Sequence, residues 1–439
     1  MAGGTWTTQN KVRPGAYINF KAAAQAQGSL GDRGIVSLPL ALPWGPSKQV
    51  LTIEAGEDVS TLLGYPITDA ALLLVREALK RAKTLLLYRL NTGTKATVTA
   101  GNLTATAKHG GARGNALSVR ITVNVDDEDL FDVATLLSGV ELDKQTVANI
   151  AALTPNDWVD WSGTGALAAS AGTPLAGGAD GAVAAQDYLD YLSAVEVLDV
   201  NTIGFPATDA ATKAVFVSFA KRLREDEGKK IQVVLENYPT ADYEGVLSVK
   251  NGVILSDGTT LTPAQAVAWV AGATAAAAVN ESLTYQAYDD AVDVTPKYTN
   301  SQIIAALQAG EFLFTGSGGK AVVEQDINTL TSFGGDKNKA FAKNRTLRVL
   351  DGIGNDFQQI FADYYIGKVS NNADGRNLLK KEYITYLETL QSIEAIQNFD
   401  SQTDISVLAG NDLDAVVSEL YIQPVDSMEK LYLTVTVAQ

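Results

Sequence analysis

Hydrophobic and polar positions change period several times along the chain, and each change marks an element. Gly34–Leu40 and Val50–Ile53 are short β-like runs. Over Ala70–Lys83 the apolar residues Leu72, Leu73, Val75, Ala78 and Leu79 share one helical face, with Arg76, Lys80 and Arg81 opposite. Thr84–Leu90 is then an almost unbroken apolar run, which predicts a strand buried on both faces. From Lys95 to about Gly177 the style shifts to Thr, Val and Ala in short alternating runs at Ala96–Ala100, Leu103–Lys108 and Leu117–Val125. That pattern predicts a β-sandwich or small barrel inserted into the α/β unit, with the Gly- and Ala-rich Gly165–Asp180 as the linker back.

The α/β style resumes afterwards. A helix is expected around Tyr188–Leu192, a strand over Val197–Gly204, a helix over Thr208–Glu227 and strands at Ile231–Leu235 and Gly252–Leu255. Thr262 and Pro263 have the residue types favoured at the N-cap and first turn of the Ala-rich helix that follows. Alternation of strand and helix predicts a doubly wound sheet. Over Ile327–Ile396 the pattern is a strand feeding two packed helices. The first helix carries Phe357, Ile360, Phe361, Tyr364, Tyr365 and Ile366, and the second Leu378, Leu379, Tyr383, Leu387, Leu390, Ile393 and Ile396. Near the end, Leu431, Leu433, Val435 and Val437 alternate strictly with Tyr432, Thr434 and Thr436. Such a strand pairs within its own sheet or recruits one from another subunit.

Composition narrows the class. At 439 residues there is room for two to four domains, and 46% hydrophobic with 19% charged residues describes a folded protein. A formal charge of −16 argues against nucleic acid as a partner. The lack of cysteine excludes disulfides and thiolate chemistry and fits reducing cytoplasm. Met1–Trp6 has neither a basic nor an apolar signal region, so no export signal is expected. The apolar run near Ala264–Val279 is interrupted by Gln265, Gly272 and Thr274, and is read as a buried or interface helix with no membrane insertion.

Candidate chemistry is sparse. The one histidine, His109, lies in a Gly-rich loop of the insertion, so no Ser-His-Asp triad is expected and a surface-loop role is assigned to it. Gly316–Lys320 resembles a phosphate loop but has Phe314 and Ala321 where Gly and Ser or Thr belong, so it is read as a hairpin turn. Asp126–Asp129 and Asp289-Asp290 lack the interleaving of a cation loop and are read as solvated. No metal and no cofactor are expected. Lys380 and Lys381, with Arg376 and the preceding Lys368, cluster at a helix start, where cations oppose the helix dipole. Local helix stability therefore does not explain them.

One run of motifs is more specific. Asn328-Thr329-Leu330-Thr331, then Lys343-Asn344-Arg345-Thr346-Leu347-Arg348-Val349-Leu350-Asp351, then Tyr365-Ile366-Gly367-Lys368-Val369 with Asn371-Asn372 and Gly375-Arg376 resembles the C-terminal domain of contractile tail sheath proteins. Those proteins build the sheaths of myophages, R-type bacteriocins and defective prophage particles. The resemblance runs from about Arg33 to the end and also touches the Gly111–Asn115 loop. It implies an α/β domain likened to subtilisin (21–94 and 180–326), an inserted β-sandwich (95–179) and an α+β tube-facing domain (327–420). An N-terminal arm (1–20) and a C-terminal strand or arm (421–439) complete it. It further implies a six-fold helical homo-oligomer around an inner tail tube, meeting baseplate and tail terminator proteins, in a virion or bacteriocin particle assembled in the host cytoplasm. Strand exchange between neighbours would use Ala16, Tyr17, Ile18, Asn19 and Phe20 together with Leu431, Tyr432, Leu433, Thr434, Val435, Thr436 and Val437, and the tube would face Lys368, Arg376, Lys380 and Lys381. The rival readings are an exported surface or adhesion protein and an α/β hydrolase.

Overall fold

A computed structural model describes residues 2–4, 15–17 and 30–438. The chain forms two compact units. The larger holds Asp32–Asn355 and the chain from Pro424 onward; the smaller holds Asp356–Gln423 and the described N-terminal residues.

The larger unit is built on a seven-stranded sheet: β1 (Ile35–Leu40), β2 (Val50–Glu54), β3 (Thr84–Arg89), β4 (Thr202–Phe205), β5 (Gln232–Glu236), β6 (Val246–Val249) and β7 (Glu311–Phe312). Its order is β7-β6-β5-β4-β1-β3-β2, with every pair parallel except β2 against β3. Alternation along β3 divides its apolar residues between two cores. Leu85 and Leu87 join Val36, Leu38, Val234 and Leu247 on one face, under the helix Pro263–Ala276. Leu86 and Tyr88 join Ile203, Phe205 and Val233 on the other, under helices Ala185–Glu196 and Ala210–Glu225. Helices on both faces make a parallel sheet of continuously apolar strands, as the run at Thr84–Leu90 predicts.

Several elements are seated by specific polar groups. Thr262 caps the Ala-rich helix in a reciprocal box with Gln265, and Pro263 occupies its first turn. Gly272 of that helix lies so close to the helix Leu73–Leu79 that a Cβ would stand 2.3 Å from the Ala78 carbonyl oxygen. The guanidinium of Arg224 grips the Asp351 carboxylate through two 2.7 Å bonds and also donates to the Ile231 carbonyl. Lys229 donates to the carbonyls of Glu196 and Leu198, satisfying groups at the end of Ala185–Glu196.

The insertion is a sandwich of a four-stranded antiparallel sheet (Val140–Val147, Phe131–Leu137, Leu117–Val123, Ser170–Pro174) and a three-stranded one (Val159–Gly163, Leu103–Ala107, Thr97–Ala100). Trp44, from the loop after β1, enters its core, stacked on Trp158 at 5.5 Å. The buried Arg89 at the end of β3 donates to the Gly45 and Gly110 carbonyls, tying the strand end to the loop after β1 and to the Gly-rich loop of the insertion.

Three expectations need correction. Gly165–Asp180 is no simple linker: Ser170–Pro174 pairs with Leu117–Val123 and Leu175 is buried. Gly252–Leu255 belongs to a separate antiparallel sheet with Thr260–Leu261 and Ala291–Thr295, while the main sheet takes Val246–Val249 instead. The residues before Phe357 are helical, because the helix already starts at Asn344 and runs to Tyr364. Asn344, Thr346, Leu347, Arg348, Val349 and Asp351 are all buried, and the face carrying Asn344, Arg348 and Asp351 is polar, so it gives no apolar signal in the sequence.

In the smaller unit the distal part of that helix packs on the helix Ala373–Ser392. The Phe357 ring stacks on Tyr383 at 3.8 Å, and the Tyr386 hydroxyl donates to Asp356 at 2.6 Å. Asn372 caps the second helix, accepting from the Gly375 amide. A hairpin of β8 (Ile405–Ala409) and β9 (Val416–Leu420) packs beside it, and the Asn371 amide reaches the Leu413 and Ala415 carbonyls of its connection.

Candidate assembly surfaces

The C-terminal segment is held to the larger unit as far as Glu429 and is bare beyond it. Glu429 Oε1 accepts from Thr284 Oγ1 at 2.9 Å, while Oε2 accepts from Gln325 Nε2 at 2.6 Å and from Lys343 Nζ. Burial pushes this carboxyl up, but the bonds from Lys343, Gln325 and Thr284 together outweigh burial and leave it below the ordinary glutamate value. The clamp continues inward. The Asp326 amide donates to Thr284 Oγ1, and the fully buried Asp326 carboxylate receives Asn344, the Leu283 amide and Arg348. Beside it lies a groove of about 940 Å³, bordered by Ile304, Leu307, Leu330, Phe333 and Met428.

From Leu431 to Val437 no strand forms among the described residues. Leu431, Tyr432, Leu433, Val435 and Val437 are all at least 73% exposed. Water-facing apolar residues in strict alternation are unusual for a settled surface and make this a candidate interaction segment. Of the N-terminal residues singled out by sequence, Ala16 and Tyr17 lie in the strand Gly15–Tyr17, paired in parallel with Ala2–Gly4; Ile18, Asn19 and Phe20 lie outside the described residues.

In the smaller unit the turn between the two helices presents a mixed surface. Tyr364, Ile366, Val369 and Leu378 are exposed, which corrects the inward placement that spacing gave Tyr364, Ile366 and Leu378. The physical reason is that the helix ends at Tyr364, so Ile366 leaves the helical period, and Leu378 sits one position off the buried Leu379. Lys368 is exposed and donates to the Asp363 carbonyl; Arg376 is half-buried and donates to Asn371. Lys381 is exposed, Lys380 is half-exposed, and among the described residues neither forms an ion pair. The β8–β9 hairpin is a two-stranded sheet, so each strand keeps an unpaired edge among the described residues.

Groups considered for chemistry have structural partners. His109 corrects the surface-loop assignment: it is half-buried, its ring set edge-on to Trp44 at 5.2 Å. Burial, with smaller repulsion from Arg89, Lys95 and Lys108, holds its pKa down to about 4. Gly316–Lys320 is a tight hairpin turn between Phe314–Ser317 and Lys320–Val323, with Gly318 and Gly319 both at positive φ. Asp126–Asp129 is exposed, but Asp289 is not merely solvated, because it accepts from Arg81 and from the Trp269 indole. At the C-terminal edge of the parallel strands, where open α/β sheets commonly bind ligands, there is a hollow of about 290 Å³. Its lining, including Leu40, Leu42, Leu90, Phe205 and Pro206, is apolar apart from Tyr188.

Sequence reading placed Lys380 and Lys381 at a helix start, whereas the helix begins at Ala373 and carries them in its third turn. It named the C-terminal arm but missed the Glu429 clamp. Its partners Lys343, Gln325 and Thr284 stand 86, 104 and 145 positions away. No local pattern could have pointed to a lone glutamate.

Comparison with known proteins covers most of the chain in four stretches. Family models match as the tail sheath protein Gp18 domain III N-terminal region over residues 33–90 and the phage tail sheath protein beta-sandwich domain over 91–180. The phage tail sheath protein central domain matches over 181–329 and the phage tail sheath C-terminal domain over 336–438. The phage-like element PBSX protein XkdK of Bacillus subtilis is 42% identical over 466 aligned positions, covering 100% of each chain. The crystal structure of a sheath tail protein from Desulfitobacterium hafniense is 67% identical, covers 95% of this chain and 99% of that one, and superposes with a TM-score of 0.90. The helical sheath of the anti-feeding prophage in its contracted state, 12% identical over 97% of this chain and 99% of that one, shares the fold at a TM-score of 0.59. With models end to end and full-length relatives, the chain belongs to the phage tail sheath protein family.

Proposed function

We propose that this chain is the repeating subunit of a contractile tail sheath. It polymerises helically around an inner tail tube and switches between two packings to drive that tube through a cell envelope. The observation that carries the reading is the Leu431–Val437 segment, strand-patterned, water-facing and without a strand partner among the described residues. A head-to-tail contact whose rotation does not close generates an open helix, and an exchanged strand supplies such a contact. The unpaired edges of β8 and β9 offer places for it, and Ala16–Phe20 would contribute from the other end of the chain. The anti-feeding prophage sheath is described in a contracted state, and another similar structure is from the baseplate of that particle. By likeness, this sheath would meet a baseplate below and a terminator above, in a phage, bacteriocin or related particle.

The subtilisin-like description of the α/β domain belongs to this reading, supported by the parallel sheet with helices on both faces. The role is structural and involves no nucleic acid. The tube would face Lys368, Arg376, Lys380 and Lys381, beside the exposed Tyr364 and Ile366.

Electron microscopy of the purified subunit with its tube protein tests the reading. Striated tubes are expected, and removal of residues 431–439 should abolish them while leaving a folded subunit. Particles that stay monodisperse with tube and nucleating partners supplied would sink it. Reversing both charges in Lys380→Glu/Lys381→Glu should weaken tube binding most at low salt, since screening already weakens exposed charge pairs at high salt. An equal loss at all salt concentrations would remove these lysines from the tube contact.

A further inference from the structure

The chain between β9 and the exposed arm is not a loose tether. Lys343 and Glu429 are mostly buried, at 18% and 11% exposed, and Lys343 also lies 3.5 Å from Asp426. Ser427 adds a contact to Glu429 at 3.4 Å, and Thr284 joins the clamp to the buried Asp326–Arg348 pair. Among the described residues, no hydrogen bond or ion pair beyond Glu429 joins the segment to its unit. We propose that Glu429 is the pivot of the C-terminal arm and thereby fixes the distance over which one subunit can reach another. This rests on the reading that the arm pairs with a second copy of the chain.

The reach follows from chain geometry. Lys430–Val437 spans at most about 26–29 Å when extended, at roughly 3.3–3.6 Å per residue. If all of Leu431–Val437 enters a ladder, Lys430 alone is the linker, and the acceptor edge must begin within about 7 Å of Glu429. Opening the clamp frees Val425–Glu429 and adds about 17 Å. A clamped subunit therefore engages only a neighbour at short, defined spacing, whereas an unclamped one tolerates a range of spacings and loses registry.

The chain has no cysteine, so single introduced cysteines take a nitroxide spin label at one place only. Met428 is fully exposed and adjacent to the clamp, and Leu433 lies in the bare arm. In free subunits, a label on Met428→Cys should be slow and become several-fold faster when Glu429→Ala is added. A label on Leu433→Cys should be fast in both backgrounds. Lys343→Glu should free the Met428→Cys label as well, by setting a third carboxylate beside Asp426 and Glu429, and combining it with Glu429→Lys should restore slow motion. A Met428→Cys label equally mobile with and without Glu429 overturns the clamp. In assembly, Glu429→Ala should raise several-fold the subunit concentration needed for tubes and should broaden their striation. Tubes unchanged in both respects overturn the control of reach. If the wild-type chain itself forms no tubes, the sheath reading fails while the label experiment still decides the clamp.

Discussion

Two seven-residue stretches of this chain look alike by composition and meet opposite fates. Thr84–Leu90 and Leu431–Val437 are both built mainly of Leu, Tyr and Thr, and both are strand-competent. The first is an interior strand of the main sheet, between β1 and β2, with every residue buried. The second has no ladder and every residue exposed. What separates them is the supply of partners. β3 inherits two neighbouring strands and two apolar cores from its own chain, so its backbone groups and side chains are satisfied on folding. The arm emerges past Glu429, where no strand of the described residues pairs with it, and its apolar face stays in water. Pattern specifies the ability to be a strand; topology decides whose strand it becomes.

The harshest way to break the comparison is to shorten a side chain in β3. Leu87→Ala removes a fully buried side chain from the core beneath the Pro263–Ala276 helix. It should cost about 2–5 kcal/mol of subunit stability, read from the denaturant midpoint. The matching change in the arm, Leu433→Ala, should move that midpoint by less than about 0.5 kcal/mol, because an exposed residue loses little on truncation. Its effect should appear instead in assembly, as a lower yield of tubes. If Leu433→Ala destabilised the isolated subunit like Leu87→Ala, the arm would be packed in solution and the contrast would collapse.

How far the fold was legible follows the same division. Strands buried on both faces announced themselves as continuous apolar runs, and the Thr262-Pro263 start of the Ala-rich helix follows from capping chemistry alone. The sandwich was legible from its alternating Thr and Val. Its strand Ser170–Pro174 was not, because Gly, Ala and Ser carry little side-chain signal, and that strand is held mainly by pairing with Leu117–Val123. The helix from Asn344 was not read over its first three turns, since one of its buried faces carries Asn344, Arg348 and Asp351 in place of apolar residues. The basic residues Lys380 and Lys381 were legible by charge alone, but the helix begins at Ala373, so they lie in its third turn and the conflict with the helix dipole that sequence assigned to them does not hold. The Glu429 clamp was invisible because each contact spans a long sequence separation, and only the folded chain brings its four members together.

A smaller effect sharpens the comparison, at a place intermediate between buried strand and bare arm. His109 sits where the insertion meets Trp44, half-buried against the indole, and burial with its cationic neighbours holds its pKa down to about 4. Unfolded, the ring would titrate near its ordinary value of about 6.5. The neutral ring therefore contributes stability that is fully present above about pH 6.5, is lost as pH falls toward 4, and changes no further below. His109→Gln removes that dependence without restoring the ring's packing. The stability difference between wild type and variant should therefore be larger at pH 7.5 than at pH 4.5, whatever its absolute size. Taking the difference cancels the titration of carboxylates such as Glu429, which both proteins share. A difference that stays constant with pH would mean the imidazole titrates as it does in water, and that the contact with Trp44 does not keep it dry.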